Sequence, residues 1–364
     1  MHPMSSGLRW WFETLDEVRK RRGMAMDRMG FGPVETPSRI VLSTAGMRLR
    51  YYGGAADGDI ALIVPAPIKR HYIWDLAPEC SVVQRVLEAG MQVYLIEWAD
   101  PTETEVAEAD FGLEQYADAL IARCDEAIRR RHGAGKLFVL SHSLGGVLAS
   151  IYAALHPDRV DGLVLIEAPL HFSRASGSFT PLVAFGPPAG SVARLFGRVP
   201  GSVLSMTSVI ASPSTFHFER RADFMASLGS AARTRTHLQV ERWTLDEAPM
   251  PGRLFEDVVE QLYREDRFMQ GTLTIGTRRV GPEHLVSPLL AVYDPHSRVI
   301  PPESILPFVE RAASRSKKLL RYEGDTGIAL THVGALMGES AQHRLWPDIL
   351  AWLTGMENGT VTRH

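Results

Sequence analysis

The segment Leu137-Phe-Val-Leu-Ser-His-Ser-Leu-Gly-Gly146 is the most informative stretch of this 364-residue chain. Its four leading apolar residues, 137–140, favour a buried strand, and the run that follows, 147–152, has helical character. A strand, a tight turn and a helix in this order lift the central residue, Ser143, above the sheet, while small neighbours relieve the crowding between helix and strand. Ser143 is therefore the candidate nucleophile.

The turn resembles the lipase box Gly-x-Ser-x-Gly, with Ser141 in place of the first glycine. Serine is small enough to replace glycine there. The backbone N–H of Leu144 is expected beside the helix N-terminus, where a free amide and the helix dipole stabilise a developing oxyanion. A serine hydroxyl also needs a base and a residue that orients the base, and in the α/β-hydrolase fold these follow in the order serine, acid, histidine.

The candidate base is His332, because it follows the last predicted strand in a loop and precedes small residues. His343 is a weaker candidate, since its surroundings have helical character.

Two carboxylates are candidates for the acid. Asp294 directly follows the apolar run 289–293, at the carboxyl end of a predicted strand, where α/β sheets gather their ligands. Its alternative role is a turn with Pro295. Glu167 ends the predicted strand 163–166 and is the alternative acid or a pocket residue. We predict a triad of Ser143, His332 and Asp294.

The remaining pattern predicts an α/β-hydrolase fold with a mostly parallel central sheet, flanking helices and an inserted cap. A hairpin is expected from the β-rich runs 39–44 and 47–52 around a glycine turn. Continuous apolar runs then alternate with helical stretches, which is typical of parallel strands covered on both faces. These strand-like runs are 60–64, 92–96, 137–140, 163–166, 288–293 and 318–322, and the helical stretches include 81–89 and 113–130.

The same pattern divides the chain into four parts. We predict an N-terminal helical arm at 1–38, a first part of the core at 39–172, a cap at 173–283 with a helical piece at 254–265, and a second part of the core at 284–364. The arm places apolar residues at helical spacing, so it packs on its own domain or binds a partner or a hydrophobic surface.

Composition excludes several other classes of protein. A formal net charge of −3 gives no sign of a basic face for nucleic acid. The two cysteines, Cys80 and Cys124, lack the spacing of a disulfide framework or a metal site, which favours a reducing compartment. We find no secretory signal pattern, and polar residues interrupt the most apolar stretch, 137–155, so we expect no integral membrane segment. The expectation is a cytoplasmic enzyme without a metal or another cofactor.

Several further segments, in one order along nearly the full chain, resemble the catalytic subunit of polyhydroxyalkanoate synthases, especially the short class that works with a second subunit. They are 65–76 (PAPIKRHYIWDL), 93–98 (VYLIEW), 152–157 (YAALHP), 243–252 (WTLDEAPMPG), 262–271 and 299–303 (VIPPE). The resemblance implies polymerisation of hydroxyacyl-coenzyme A thioesters through an acyl-cysteine, with a histidine base and an aspartate. It also implies that Ile68 supplies a second oxyanion N–H, because Pro67 has none. A second subunit or a homodimer is the implied partner.

The chain departs from this family at two positions. Ser143 stands where the family has cysteine, and His142 before it makes the box more like that of lipases. At the family's aspartate spacing the chain has Ser297, with Asp294 three residues earlier. A thiolate leaves and exchanges acyl groups more readily than an alkoxide, so serine favours hydrolysis or a single acyl transfer over chain growth.

Three functions follow as hypotheses. The first is a serine-dependent hydrolase of acyl esters or acyl-coenzyme A thioesters, acting on hydroxyacyl or medium acyl chains beneath the cap. The second is a synthase or acyltransferase that uses Ser143 as its nucleophile. The third is a non-catalytic module that binds polyester granules or a synthase subunit.

Overall fold

A computed structural model describes residues 3–101, 110–133, 135–172, 177–212 and 219–355. Within these residues the strands are β1 Arg39–Thr44, β2 Met47–Gly53, β3 Ile60–Val64, β4 Gln92–Trp98, β5 Leu137–His142, β6 Gly162–Ile166, β7 Arg198–Val199, β8 Met250–Pro251, β9 Leu273–Ile275, β10 Arg278–Val280, β11 Leu289–Tyr293 and β12 Lys317–Arg321.

The α-helices of the same residues are α1 Pro3–Arg28, α2 Val82–Glu88, α3 Leu120–His132, α4 Leu144–Leu155, α5 Phe179–Phe185, α6 Ala189–Phe196, α7 Gly201–Ala211, α8 Arg220–Ser227, α9 Ala231–Thr244, α10 Gly252–Asp257, α11 Leu306–Arg311, α12 Gly334–Met337 and α13 Trp346–Gly355. Short 3₁₀ and π-helical turns join several of them. A π-helical turn at Gln115–Ala119, for example, leads into α3.

Eight strands form the central sheet in the order β1-β2-β4-β3-β5-β6-β11-β12. β2 is antiparallel to both of its neighbours, β1 and β4, and the six strands from β4 to β12 in this order run parallel. This confirms the predicted hairpin and the mostly parallel sheet. Each apolar run of the sequence forms its strand, and β5 continues through His142, up to the candidate nucleophile.

Helices cover both faces of the sheet. In β5, Leu137 and Val139 pack in one buried apolar cluster, whereas Phe138 and Leu140 pack in the other. Successive side chains of a strand point to opposite faces, so a strand buried on both sides needs apolar residues at every position. This explains why the parallel strands read as continuous apolar runs.

Between β6 and β11 the chain leaves the central sheet. The described residues of this segment contain helices α5 to α10 and the short antiparallel pairs β7–β8 and β9–β10. Residues 173–176 and 213–218 of the predicted cap lie outside the described residues. The division into four parts that we drew from the sequence stays a prediction.

Helix α1 packs with one face on this segment. Phe12 is buried against Phe196, with ring centroids 5.7 Å apart, and Asp16 accepts a hydrogen bond from the backbone N–H of Ser202 at 2.7 Å. On the other face Trp10 and Trp11 stay exposed. The described helices include none that is both long and apolar enough to cross a bilayer.

Candidate active site

The parallel strands end at one edge of the sheet, and the candidate catalytic residues follow them there. Ser143 comes directly after β5, Glu167 after β6 and Asp294 after β11. His332 lies in a 3₁₀ turn, Thr331–Val333, in the connection that follows β12. Because parallel strands present their carboxyl ends together, residues far apart in the chain meet at this edge.

The turn at Ser143 has the strained backbone of a nucleophile elbow. Ser143 has φ 55° and ψ −133°, a left-handed conformation that a residue with a Cβ rarely adopts. Its backbone N–H donates to the carbonyl of Ile166 at 3.0 Å, which ties the turn to β6. Leu144 begins α4, so its N–H belongs to the first turn, where the amides have no acceptor within the helix.

Small residues around Ser143 make room for this turn. A Cβ atom at Gly145 would lie 2.3 Å from the carbonyl oxygen of Val64, and one at Gly146 would lie 2.4 Å from the Cβ of Ala168. Ser141, at the position of the first glycine of the box, is buried and donates to the carbonyl of Val164 at 3.0 Å. A serine fits here because its hydroxyl has an acceptor on the neighbouring strand.

His332 pairs with Glu167. The Nδ1 atom of the histidine lies 3.0 Å from Oε2 of the carboxylate, and the Glu167 side chain is 1% exposed. Burial raises the pKa of Glu167 well above its ordinary value, and the negative charge of Asp294 raises it further. Burial also lowers the pKa of His332 to about 4, so its imidazole is neutral at neutral pH.

Asp294 makes different contacts. Its Oδ1 atom accepts the backbone N–H of His296 at 2.7 Å, which is the Asx-turn arrangement that its sequence with Pro295 allowed. Among the hydrogen bonds of the described residues, Asp294 has none to His332. It acts on the pair through its charge, which is close enough to shift the pKa of Glu167. The predicted acid, Asp294, is therefore not hydrogen-bonded to the predicted base, His332, and the alternative carboxylate, Glu167, takes that position.

Ser143, Leu144, Ile68 and His332 line one cavity of about 1130 Å³. Its other walls are mostly apolar, with side chains from the segment between β6 and β11 such as Leu204, Phe224, Phe255 and Tyr263. Glu167 and Asp294 are not among its lining residues. A cavity of this size and lining suits an acyl chain whose carbonyl reaches the elbow.

An ion-pair network holds the loop of Ile68. Lys69 lies 2.7 Å and Arg19 lies 2.8 Å from carboxylate oxygens of Glu247. The carbonyl of Ile68 also accepts the N–H of Ala248 at 3.2 Å. Sequence reasoning missed Glu247 and Lys69 as site residues, although both lie in segments that carry the family resemblance. The presence of charged residues in these segments was the feature of the sequence that could have identified Glu247 and Lys69 as site residues.

Neither cysteine has the surroundings of a nucleophile. Cys80 and Cys124 are buried and are absent from the residues that line the cavity. Burial raises the pKa of both thiols, that of Cys80 to about 12, which disfavours the reactive thiolate. The predicted nucleophile, Ser143, is therefore the only one of these three side chains in the cavity.

Comparison with known proteins agrees with this architecture. The profile of a family described as the α/β-hydrolase fold matches residues 71–200. The poly(3-hydroxyalkanoate) polymerase subunit PhaC of Haloarcula marismortui is 26% identical over 381 aligned positions, which cover 99% of this chain and 78% of that protein. The chain is an α/β-hydrolase-fold protein similar to the polyhydroxyalkanoate synthases.

Other comparisons extend this result. The poly(3-hydroxyalkanoate) polymerase subunit PhaC of Allochromatium vinosum is 27% identical over 295 positions, with 80% of this chain and 79% of that protein covered. The crystal structure of a soluble monoglyceride lipase variant from Saccharomyces cerevisiae superposes with a TM-score of 0.57 at 12% identity. The match covers 89% of this chain and 96% of the lipase chain. The lipase shows likeness of fold alone. Together, the fold and the synthase relatives make this synthase-like protein an enzyme of the hydrolase or acyltransferase type.

Proposed function

We propose that this enzyme transfers acyl groups from hydroxyacyl thioesters through a covalent ester on Ser143. The hydrogen-bonded pair of His332 and Glu167 carries this proposal, because it joins a base to a buried carboxylate beside a serine that faces the same apolar cavity. The names of the relatives, poly(3-hydroxyalkanoate) polymerase subunits, favour a hydroxyacyl donor and a hydroxyl acceptor, and the family resemblance implies coenzyme A as the thiol of the donor.

In the first half of the reaction, Nε2 of His332 takes the proton of the Ser143 hydroxyl while its oxygen attacks the thioester carbonyl. Glu167 accepts the Nδ1–H and stabilises the imidazolium that forms. The backbone N–H groups of Leu144 and Ile68 stabilise the oxyanion. When the carbon–sulfur bond breaks, His332 returns the proton to the leaving thiol and the acyl group remains on Ser143.

In the second half, the acceptor hydroxyl loses its proton to His332 and attacks the acyl-serine carbonyl. The ester bond to Ser143 breaks, and the serine regains a proton from His332. A hydroxyacyl acceptor lengthens a chain by one unit, whereas water releases a free acid. The triad chemistry is the same in both cases, so access of the acceptor decides the product.

Hydrolysis is the second candidate, and the serine itself favours it. An oxygen ester on Ser143 is less reactive toward thiol and hydroxyl exchange than the thioester of a cysteine enzyme, so water has more time to react. Under this alternative the product of turnover is hydroxy acid plus free thiol.

The test uses the full chain with 3-hydroxybutyryl-coenzyme A. Thiol release is followed with a thiol reagent, and the products are analysed by mass spectrometry. Esters of two or more hydroxybutyrate units support transfer, whereas hydroxybutyric acid alone establishes hydrolysis.

The matched variants are S143A and S150A. Ser150 is a buried serine of α4 that donates to the carbonyl of Gly146 at 2.7 Å and does not line the cavity. S143A should lose turnover, whereas S150A should keep it. Thiol release by S143A at the wild-type rate would overturn both candidates.

A further inference from the structure

We propose that His142 is a positioning residue that fastens His332 to the nucleophile strand. This inference rests on the proposed function, since it assigns His332 as the base. His142 is the last residue of β5 and directly precedes Ser143. Its buried ring places Nε2 2.8 Å from the backbone carbonyl oxygen of His332, and the two ring centroids are 4.5 Å apart with an interplanar angle of 36°.

The direction of this hydrogen bond follows from its acceptor. A backbone carbonyl can only accept, so Nε2 of His142 carries the hydrogen and donates. Burial lowers the pKa of His142 well below its ordinary value, and the positive charge that His332 carries when it is protonated lowers it further. His142 therefore stays neutral when His332 takes up the serine proton, and no second positive charge opposes that step.

His332 needs such an attachment because the backbone around it forms only a short turn. It lies in a single 3₁₀ turn, in which the N–H of Val333 donates to the carbonyl of Leu330 at 3.0 Å. Ala329, just before this turn, has φ 77°, an unusual conformation for alanine. A short turn of this kind does not by itself fix a catalytic ring.

The strand pair β5–β6 supplies a rigid support. His142 pairs with Ile166 in the parallel register, and the next residues of the two strands are Ser143 and Glu167. Glu167 holds the side chain of His332 at Nδ1, and His142 holds its backbone at the carbonyl. The base is thus attached at two points to the same strand pair that carries the nucleophile, and neither attachment uses Nε2, the nitrogen to which the proposed mechanism assigns proton transfer.

Two substitutions separate the ring from the hydrogen bond. H142F keeps an aromatic ring and removes the donor. H142Q removes the ring but places an amide nitrogen at nearly the reach of Nε2, whereas H142N is too short to reach the carbonyl. We expect H142F and H142N to lower kcat by about ten- to a hundredfold with little change in KM, because the base is displaced by a fraction of an ångström. H142Q should recover part of that loss.

The matched control is H156F. The ring of His156 stacks on Tyr152 with almost the same geometry, 4.6 Å and 35°, and its Nε2 is hydrogen-bonded to Asp118 at 2.5 Å, but it does not line the cavity. H156F thus loses a stacked, hydrogen-bonded ring without touching the site. It should keep kcat near the wild-type value.

A second measurement does not depend on the substrate. Hydrogen–deuterium exchange of the backbone amides at 328–335 should become several-fold faster in H142F and H142N than in the wild type and H156F. If no acyl substrate is turned over, the proposed function fails while exchange still decides the attachment. Wild-type exchange in this segment of H142N or H142F, or a kcat for them that matches H156F, would overturn the inference.

Discussion

The Nδ1 atom of His332 lies 3.0 Å from Oε2 of Glu167, a carboxylate buried at the end of β6. Glu167 has φ 43°, a left-handed conformation that turns the chain sharply after the strand. The other carboxylate of this region, Asp294, follows β11 and accepts a backbone N–H instead. The enzyme thus holds a carboxylate after each of two adjacent strands, and only the one after β6 is hydrogen-bonded to the histidine.

Exchanging each carboxylate for its amide separates their roles. E167Q should lower kcat by about a thousandfold, because the imidazolium loses its counter-charge and the amide can stabilise the wrong tautomer of His332. D294N should lower kcat by less than about tenfold, since it removes no bond to the base. The measurement is kcat for thiol release, with folding followed by circular dichroism. The opposite ranking of the two variants would assign the acid to Asp294.

The pH profile of kcat/KM should depend on the protonation states of Glu167 and His332. The active form needs Glu167 ionised and His332 neutral, and the pKa of His332 is lowered to about 4. Loss of activity at low pH is therefore set by Glu167, whose pKa is raised by burial and by the charge of Asp294.

D294N removes that repulsion, which favours the ionised form of Glu167 and lowers its pKa. The acid limb of the pH profile of kcat/KM should accordingly move to lower pH in D294N. It should stay in place in D118N, whose carboxylate pairs with His156 away from the cavity. A shift of the acid limb to higher pH in D294N would contradict this electrostatic account.

Sequence patterns predicted those parts of the site that are formed by residues close together in the chain. The elbow follows from an apolar strand, small turn residues and a helix in one short segment, and every one of these is in place. The strand ends also bring Asp294 and Glu167 to the same edge of the sheet. Because each carboxylate directly follows an apolar strand, local sequence patterns could identify both as candidates.

The choice between those carboxylates depends on tertiary geometry. Glu167 and His332 are separated by 165 positions, and their bond depends on how the chain turns after β6 and where the loop after β12 returns. Lys69 and Glu247 are likewise joined through an isolated antiparallel bridge between remote segments. No periodicity within either segment encodes such a contact, so sequence reasoning chose Asp294 as the acid, with Glu167 only as the alternative, and missed the ion pair.

The ion pairs of Glu247 should matter for stability and for the oxyanion loop. E247Q leaves Lys69 and Arg19 without their shared counter-charge in a largely buried site, which should lower the free energy of unfolding by about 2–4 kcal/mol. Activity should fall as well, because the neighbouring residue, Ala248, binds the carbonyl of Ile68.

Denaturant unfolding tests this prediction against E339Q. That variant removes the carboxylate from the exposed pair with Arg233, so it should change stability by less than about 0.5 kcal/mol. Equal unfolding midpoints for E247Q and E339Q would show that the buried network contributes no more than a surface pair.

The acyl-enzyme mechanism requires a covalent ester on Ser143, and this ester can be trapped. The folded protein is incubated with a fluorophosphonate or with an acyl-coenzyme A thioester, quenched in acid, digested and analysed by peptide mass spectrometry. We expect one adduct, on the peptide that carries Ser143, and none there in S143A. An adduct on the peptide of Cys80 or Cys124, or unmodified Ser143 in folded protein that still turns over substrate, would contradict it.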